Sequence, residues 1–175
     1  MIGVRSLART GVALYITIGC ALSGFASGQT IGGRRCEAAD LSVESLSAGI
    51  AAGTYGINYV LRNHGKTGCT LSGFPILSAL DKHGKVIRVV KFEHISGTWV
   101  TDVQTPNSVN VASGSDAWFQ IIYSGGGGLD DRSSCHQVTS LRIYWPGSKK
   151  PLVDHASFET CGPVSVTSLR PPPYD

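Results

Sequence analysis

The stretch "RNHGKTGCTLSGFP", residues 62–75, contains residue types that could bind a phosphate group. Gly65-Lys66-Thr67 matches the end of a nucleotide-binding loop, in which backbone amides and a lysine surround phosphate oxygens at the start of a helix. That pattern requires a further glycine at position 60, where the chain has Val60. It also requires a helix after the threonine, but two glycines and a proline follow within residues 68–75. We therefore interpret the stretch as a turn between two strands.

Metal coordination is the second chemistry to consider, since the chain has five histidines. None of them stands two or four positions from another, so no strand or helix would present two together. The usual thioether ligand of a blue-copper site is also missing, because the only methionine is Met1. The sequence predicts surface histidines, no metal and no cofactor. The histidines are His64, His83, His94, His136 and His155.

Nucleophilic catalysis has no motif in this chain. The Gly-x-Ser-x-Gly turn of many hydrolases is absent from the sequence. Cys135-His136 would need a free thiolate, which a cysteine in a disulfide cannot supply. We predict no catalytic residue. The alternative is an exported hydrolase or metal-dependent enzyme whose residues, such as Asp130, Asp131 and His136, come from separate loops.

The first 28 residues have the layout of a secretory signal peptide. Arg5 and Arg9 precede an apolar run from Val12 to Leu22, and small residues follow at 26–28. The run is too short and too interrupted for a membrane-spanning helix, which needs roughly 20 apolar residues. The sequence predicts export to the periplasm or the extracellular space.

Two processing sites compete in this segment. Cleavage after Gly28 or Ala26 would leave Gln29 or Ser27 as the mature N-terminus. The alternative is that Thr17-Ile18-Gly19-Cys20 acts as a lipoprotein box and Cys20 becomes lipidated, which would anchor the protein to a membrane. Cleavage near residue 28 is the preferred prediction.

The net charge is close to zero once the signal segment is removed. The full chain carries +3, but loss of Arg5 and Arg9 leaves 13 basic against 12 acidic residues, a net charge of +1. A nucleic-acid-binding surface would need lysines and arginines clustered on one face, so none is predicted. Arg34-Arg35 and Lys149-Lys150 are interpreted as isolated pairs in solvated loops.

Four cysteines remain after removal of Cys20. An even number in an exported chain predicts two disulfides, with three possible connectivities. The spacing contains no Cys-x-x-Cys pair, which argues against zinc. The four are Cys36, Cys69, Cys135 and Cys161.

Hydrophobic residues alternate along the chain and do not repeat at helical spacing. Tyr55, Ile57, Tyr59 and Leu61, for example, fall on one face of a strand. Short β-rich runs bounded by turn residues predict an all-β, immunoglobulin-like antiparallel sandwich of about 7–8 strands. The runs are Leu41 to Leu46, Tyr55 to Leu61, Ile76 to Leu80, Val86 to Val90, Val109 to Ala112, Ala117 to Tyr123, Leu141 to Trp145 and Val164 to Leu169.

The runs define the domain organisation. We predict a linker at 29–35, one β-sandwich domain at 36–169 and a proline-rich tail at 170–175. The tail "RPPPYD" is expected to be extended and uncoupled from the core. The glycine-rich stretch at 124–134 is expected to be a flexible loop between two strands.

Several quoted segments resemble a bacterial domain-of-unknown-function family, number 4232. They are the opening Cys36, "GKTGCTLSGFP", "DKHGK", "LRIYWPG" and the closing "CGPVSV". The resemblance extends from Cys36 to about Leu169, and the chain departs from it between Phe92 and Asn107. It implies an exported small β-sandwich with paired cysteines and implies no established activity.

The resemblance agrees with a pairing of Cys36 with Cys69 and of Cys135 with Cys161. Each is a sequential pair that flanks one or two strands. Closure of the first loop, about 33 residues long, would stabilise the fold by roughly 3–4 kcal/mol. In this interpretation of residues 62–75, Lys66 and Thr67 are solvent-facing turn residues, and Phe74 plugs the core.

The predicted function is a non-catalytic envelope or secreted module that binds a partner protein or a glycan, or has a structural role. The candidate binding loop is Glu93 to Pro106, with Trp99 as a possible aromatic anchor and the loop at 124–134 beside it. The competing interpretation is that Trp99 plugs one open end of the sandwich. A small-ligand carrier would need a closed barrel, which these short strands do not establish.

Overall fold

The fold comes from a computed structural model that describes residues 33–49, 53–95, 108–125, 134–155 and 157–173. The predicted signal segment, Trp99 and most of the glycine-rich loop lie outside these ranges. Within them the chain forms twelve strands and one turn of 3-10 helix at Ala38–Asp40. The strands are β1 (Leu41–Ala48), β2 (Thr54–Asn63), β3 (Cys69–Ser72), β4 (Ile76–Leu80), β5 (Phe92–His94), β6 (Ser108–Val111), β7 (Asp116–Ser124), β8 (His136–Val138), β9 (Ser140–Tyr144), β10 (Leu152–Asp154), β11 (Phe158–Thr160) and β12 (Val164–Val166).

The strands form a sandwich-like body, which confirms the predicted all-β class. A five-stranded sheet has the order β1-β2-β7-β12-β5, and a three-stranded sheet has the order β10-β9-β4. Two further pairs, β11-β8 and β3-β6, complete the structure. The pairs are antiparallel with one exception among the described strands, β12 with β5, which is parallel. The core lies between the sheets, since both contribute side chains to one buried cluster.

The pairing of β2 with β7 forms the centre of the five-stranded sheet. Nine residues of each strand are in register, from Thr54 opposite Ser124 to Arg62 opposite Asp116. The face turned away from the core is also largely buried here, because Asn58 and Gln120 are each 7% exposed. The amide nitrogen of Gln120 donates to the side-chain oxygen of Asn58 at 2.9 Å, so this buried polar pair is satisfied.

A cross-strand aromatic pair fills the inner face of the same two strands. The rings of Tyr59 and Phe119 stack with centroids 5.1 Å apart, and both side chains are fully buried. The hydroxyl of Tyr59 makes no hydrogen bond with any described residue. Burial, together with the negative charge of Asp154, raises the pKa of Tyr59 above its usual value.

We expect Tyr59→Phe to leave the free energy of unfolding unchanged or to raise it by about 1 kcal/mol, because a buried hydroxyl without a partner costs free energy. Chemical denaturation of both proteins measures the difference. Tyr55→Phe is the control, since Tyr55 is 45% exposed. A clear loss of stability specific to Tyr59→Phe would show that the hydroxyl has a bound water or another partner.

The predicted strand over Val86 to Val90 is wrong. Asp81 instead organises a tight turn, accepting hydrogen bonds from the backbone N–H groups of His83 at 2.8 Å and Lys85 at 2.9 Å. The chain pairs with β4 only briefly after this turn, through Val86 opposite Leu80. A second turn then directs it away from the sheet, and Val89 is 62% exposed.

The start of the predicted tail is joined to the five-stranded sheet by an isolated bridge between Arg170 and Trp118. Arg170 exchanges backbone hydrogen bonds with Trp118 on β7 at 2.8 and 2.9 Å, and the Trp118 indole N–H donates to the carbonyl of Pro171 at 2.9 Å. The Arg170 guanidinium lies 5.7 Å from the Trp118 ring centroid. The expectation of an uncoupled tail is therefore wrong for residues 170 and 171, because Trp118 holds them.

Phe74 does not plug the core. Its side chain is half-buried, and its ring stacks on the exposed His94 with centroids 4.4 Å apart. The neighbouring Pro75 is the buried residue of this pair. The prediction was wrong by one position, because the side chain that turns inward belongs to Pro75 and not to Phe74.

Candidate functional site: a basic cleft

The two basic pairs that the sequence suggested were isolated lie together in the folded protein. A cavity of about 380 Å³ opens between the segment that precedes β1, residues 34–39, and the segment after β9, residues 147–150. Its walls contain both pairs, so the interpretation that they are isolated is wrong, whereas their expected exposure to solvent is confirmed. Polar residues that line this basic cleft are Arg34, Arg35, Glu37, Ser148, Lys149 and Lys150.

Backbone pairing with β3 positions the first wall, which carries the two arginines. Thr70 donates its N–H to the carbonyl of Arg34 at 2.9 Å, and Cys36 donates to the carbonyl of Thr70 at 3.1 Å. The disulfide between Cys36 and Cys69 fixes the same segment, with both cysteines buried. Residues 34–36 are therefore fixed to β3 although the sequence suggested a linker ending at residue 35.

An ion pair orients the first arginine. The guanidinium of Arg34 donates to the carboxylate of Asp40 at 2.6 Å and lies 3.4 Å from the hydroxyl of Thr67. The Arg34 hydrogen bond holds the pKa of Asp40 below its usual value, against an opposing effect of desolvation. The pair therefore persists to pH values below those at which a free aspartate becomes protonated.

The second wall is attached to the first through a buried tryptophan. Trp145 follows β9 and is 2% exposed, and its indole N–H donates to the carbonyl of Cys36 at 2.9 Å. The Pro146-Gly147 turn comes next, and it is closed by a hydrogen bond from the N–H of Ser148 to the carbonyl of Trp145 at 2.9 Å. The lysines at 149 and 150 follow this turn directly, so Trp145 sets their distance from the arginines.

Gly147 lets the two walls approach closely. Its φ of +87° lies in the left-handed region, which strongly favours glycine. A methyl group at this position would lie 2.5 Å from Nη1 of Arg35. The absence of a side chain at Gly147 therefore leaves the space that the Arg35 guanidinium occupies.

A buried asparagine organises the turn beside the cleft. Asn63 is fully buried, and its side-chain nitrogen lies 2.9 Å from the carbonyl oxygen of Val111 and 3.0 Å from that of Thr67. Its side-chain oxygen accepts the N–H of Gly65 at 2.9 Å. The next element is strand β3 and not a helix, which confirms that Gly65-Lys66-Thr67 is a turn and not a phosphate-binding loop.

The charges of the cleft favour binding of an anion. Arg34, Arg35 and the two lysines contribute four positive charges, whereas Glu37 and Asp40 contribute two negative charges. Guanidinium groups donate bidentate hydrogen bonds to carboxylate and phosphate, and ammonium groups add a mobile point charge. The lining contains no thiol that could act as a nucleophile, since Cys36 is in a disulfide. Four cations around one cavity thus give the cleft a positive charge that attracts anions.

The second disulfide lies near a different cavity. Cys135 is bonded to Cys161, as predicted, and both are half-buried, unlike the first pair. Glu159 lies within 4.8 Å of both sulfurs, but sulfurs in a disulfide are not available to a metal ion. His136 lines the adjoining cavity of about 260 Å³. Asp130 and Asp131, named with it as loop-borne candidates, lie outside the described residues.

The fold and the disulfides define a stabilised, all-β module that carries a cleft lined by basic side chains. The chain belongs to the family described as Domain of unknown function (DUF4232), whose model matches residues 36–170. This confirms the resemblance stated from the sequence. No curated protein and no solved structure matches the chain. In the described ranges, no helix is long and apolar enough to cross a membrane.

The structure gives a different site from the one suggested by the sequence. Trp99 and most of the segment from Glu93 to Pro106 lie outside the described residues, so that binding loop stays a prediction. The cleft was missed because its basic pairs are more than 100 positions apart in the chain. The contact that joins them, from Trp145 to the Cys36 carbonyl, leaves no signal in the sequence.

Proposed function

We propose that this protein is an exported, non-catalytic binding module and that the basic cleft is where it holds an anionic group of an envelope protein or a glycan. The observation that carries the proposal is the convergence of Arg34-Arg35 and Lys149-Lys150 on one cavity in a domain whose overall charge is nearly balanced. Two disulfides and the predicted signal segment support an oxidising compartment outside the cytoplasm.

The backbone of the cleft is held in place by the core. One wall is fixed by a buried disulfide and the other by a buried tryptophan, so the segments that carry the exposed cations keep their positions before a ligand arrives. Preorganised groups lose less conformational entropy on binding than mobile side chains do. The volume of about 380 Å³ lies in the usual range for small-molecule sites.

Titration calorimetry with inorganic pyrophosphate at low ionic strength tests the proposal. We expect the wild-type protein to bind and the double variant Lys149→Ala/Lys150→Ala to bind about thirtyfold more weakly, because each of the two lost contacts between an ammonium group and an anion is worth about 1 kcal/mol in a solvent-exposed site. Added salt should weaken binding to the wild-type protein, since partly exposed charges are screened.

Lys82→Ala/Lys85→Ala is the matched control. It removes the same charge from the turn after β4, at the opposite end of the β4–β9 pair from the cleft. This variant should bind pyrophosphate as the wild-type protein does. Equal loss in both double variants, or no binding by the wild-type protein, would refute the cleft as an anion site.

A further inference from the structure

We infer that the basic cleft binds a phosphate monoester carried on a soluble, sugar-sized body. This inference rests on the proposed function, since it specifies the anion and the molecule that carries it. It uses three properties of the cleft: the balance of charge, the arrangement of donors on two walls, and the volume.

The charge of the cleft matches a dianion. Arg34 is paired with Asp40, and Glu37 lies in the lining, so two of the four positive charges are offset locally. The remaining two equal the charge of a phosphate monoester at neutral pH, about −2. A carboxylate, a sulfate ester or a phosphate diester carries a single negative charge and would leave one cation of the cleft without compensation.

The donors also fit a tetrahedral group better than a planar one. The arginines project from the segment paired with β3, whereas the lysines project from the turn after Trp145, on the other wall. A phosphate monoester directs three oxygens away from its ester bond, so guanidinium and ammonium groups on opposite walls each find an acceptor. A carboxylate has both oxygens in one plane and is satisfied by a single guanidinium.

The volume of the cleft exceeds what a single phosphate group would fill. A lone phosphate ion would occupy only a fraction of about 380 Å³. The lining also contains Ala38 and Ala39, which carry no charge. A polyol or a sugar ring attached to the phosphate would fill this space.

Glucose 6-phosphate and glucose 6-sulfate form a matched pair of probes, because they share the sugar and the tetrahedral anion but differ by one charge. By titration calorimetry at pH 7.5, we expect glucose 6-phosphate to bind about tenfold more tightly than the sulfate ester and than inorganic phosphate. Arg35→Ala should lower its affinity about tenfold, and Arg35→Lys should lower it less, because the charge remains but the bidentate fork is lost. Thermal unfolding of each variant checks that the domain is folded.

The possible results separate this inference from the proposed function. Equal affinity for the two esters, or for inorganic phosphate and glucose 6-phosphate, would overturn the inference, while the pyrophosphate result decides the proposed function. Flotation with vesicles of phosphatidic acid in phosphatidylcholine tests a lipid source of the same group. If the protein bound these vesicles but not glucose 6-phosphate, the inference that the phosphate is carried on a soluble, sugar-sized molecule would be wrong. If neither pyrophosphate nor any other probe bound to the protein, both proposals would be refuted.

Discussion

Removal of the first disulfide by Cys36→Ala together with Cys69→Ala is expected to lower the free energy of unfolding by about 3–4 kcal/mol. The bond closes a loop of 33 residues, and without it the unfolded chain gains conformational entropy. Alanine is the appropriate replacement, because both cysteines are buried and serine would add an unsatisfied hydroxyl. Denaturant unfolding monitored by tryptophan fluorescence measures the loss.

The matched variant is Cys135→Ala with Cys161→Ala, which opens a loop of 26 residues. Its loss of stability should be similar, since loop entropy changes slowly with length. The two variants should differ in function. The first should also lose pyrophosphate affinity, because Cys36 positions the arginine wall, and the second should retain it. A first variant that binds as tightly as the wild-type protein would show that the pairing with β3 positions Arg34 and Arg35 without the disulfide.

The second large effect is expected for Asn63→Asp, which should destabilise the fold by about 3–5 kcal/mol. The replacement has the same shape, but it removes the donors that face the carbonyls of Thr67, Val111 and Ala112. It also places a carboxylate among those oxygens, and a buried charge without a partner is strongly destabilising. Equilibrium denaturation at neutral pH measures the change.

Asn110→Asp is the control for this substitution. Asn110 is exposed on β6, and its side-chain oxygen accepts the hydroxyl of Thr70 at 2.9 Å, which aspartate also does. Its effect should stay within about 0.5 kcal/mol. Burial among carbonyl oxygens raises the pKa of the introduced carboxyl above its value in the unfolded chain. The loss of stability caused by Asn63→Asp should therefore become smaller as the pH is lowered toward about 4, where the carboxyl is protonated in the folded protein. A penalty independent of pH would show that lost donors, and not the charge, cause it.

The longer strands could be predicted from the sequence, and the reason is visible in their residues. Tyr59 and Leu61 on β2 alternate with polar or smaller neighbours, and β4 was predicted with the bounds the structure has, Ile76–Leu80. β5 and β10, of three residues each, fall outside every predicted run, because so few residues show no alternation that distinguishes a strand from a turn. The count of strands was therefore too low, whereas the fold class was correct.

The candidate site could not be predicted for a different reason. The sequence showed two basic pairs and a disulfide near one of them, but the cleft depends on where Trp145 places its turn relative to Cys36. Such a contact is tertiary and follows from neither propensity nor spacing. Asn63 was equally inconspicuous, because an asparagine at the end of a strand is normally a solvated turn residue.

The register of β2 with β7 also bears on how the chain folds. Arg62 and Asp116 are 54 residues apart and Asn58 and Gln120 are 62 apart, so this central pairing is highly non-local. The β1–β2 hairpin forms from neighbouring residues, but its free β2 edge stays open until the chain has been extended through β7. All-β domains dominated by such distant pairings fold in milliseconds to seconds, because the entropy of loop closure is lost before the contacts form. During that interval the open edge of β2 exposes the chain to aggregation and to proteases.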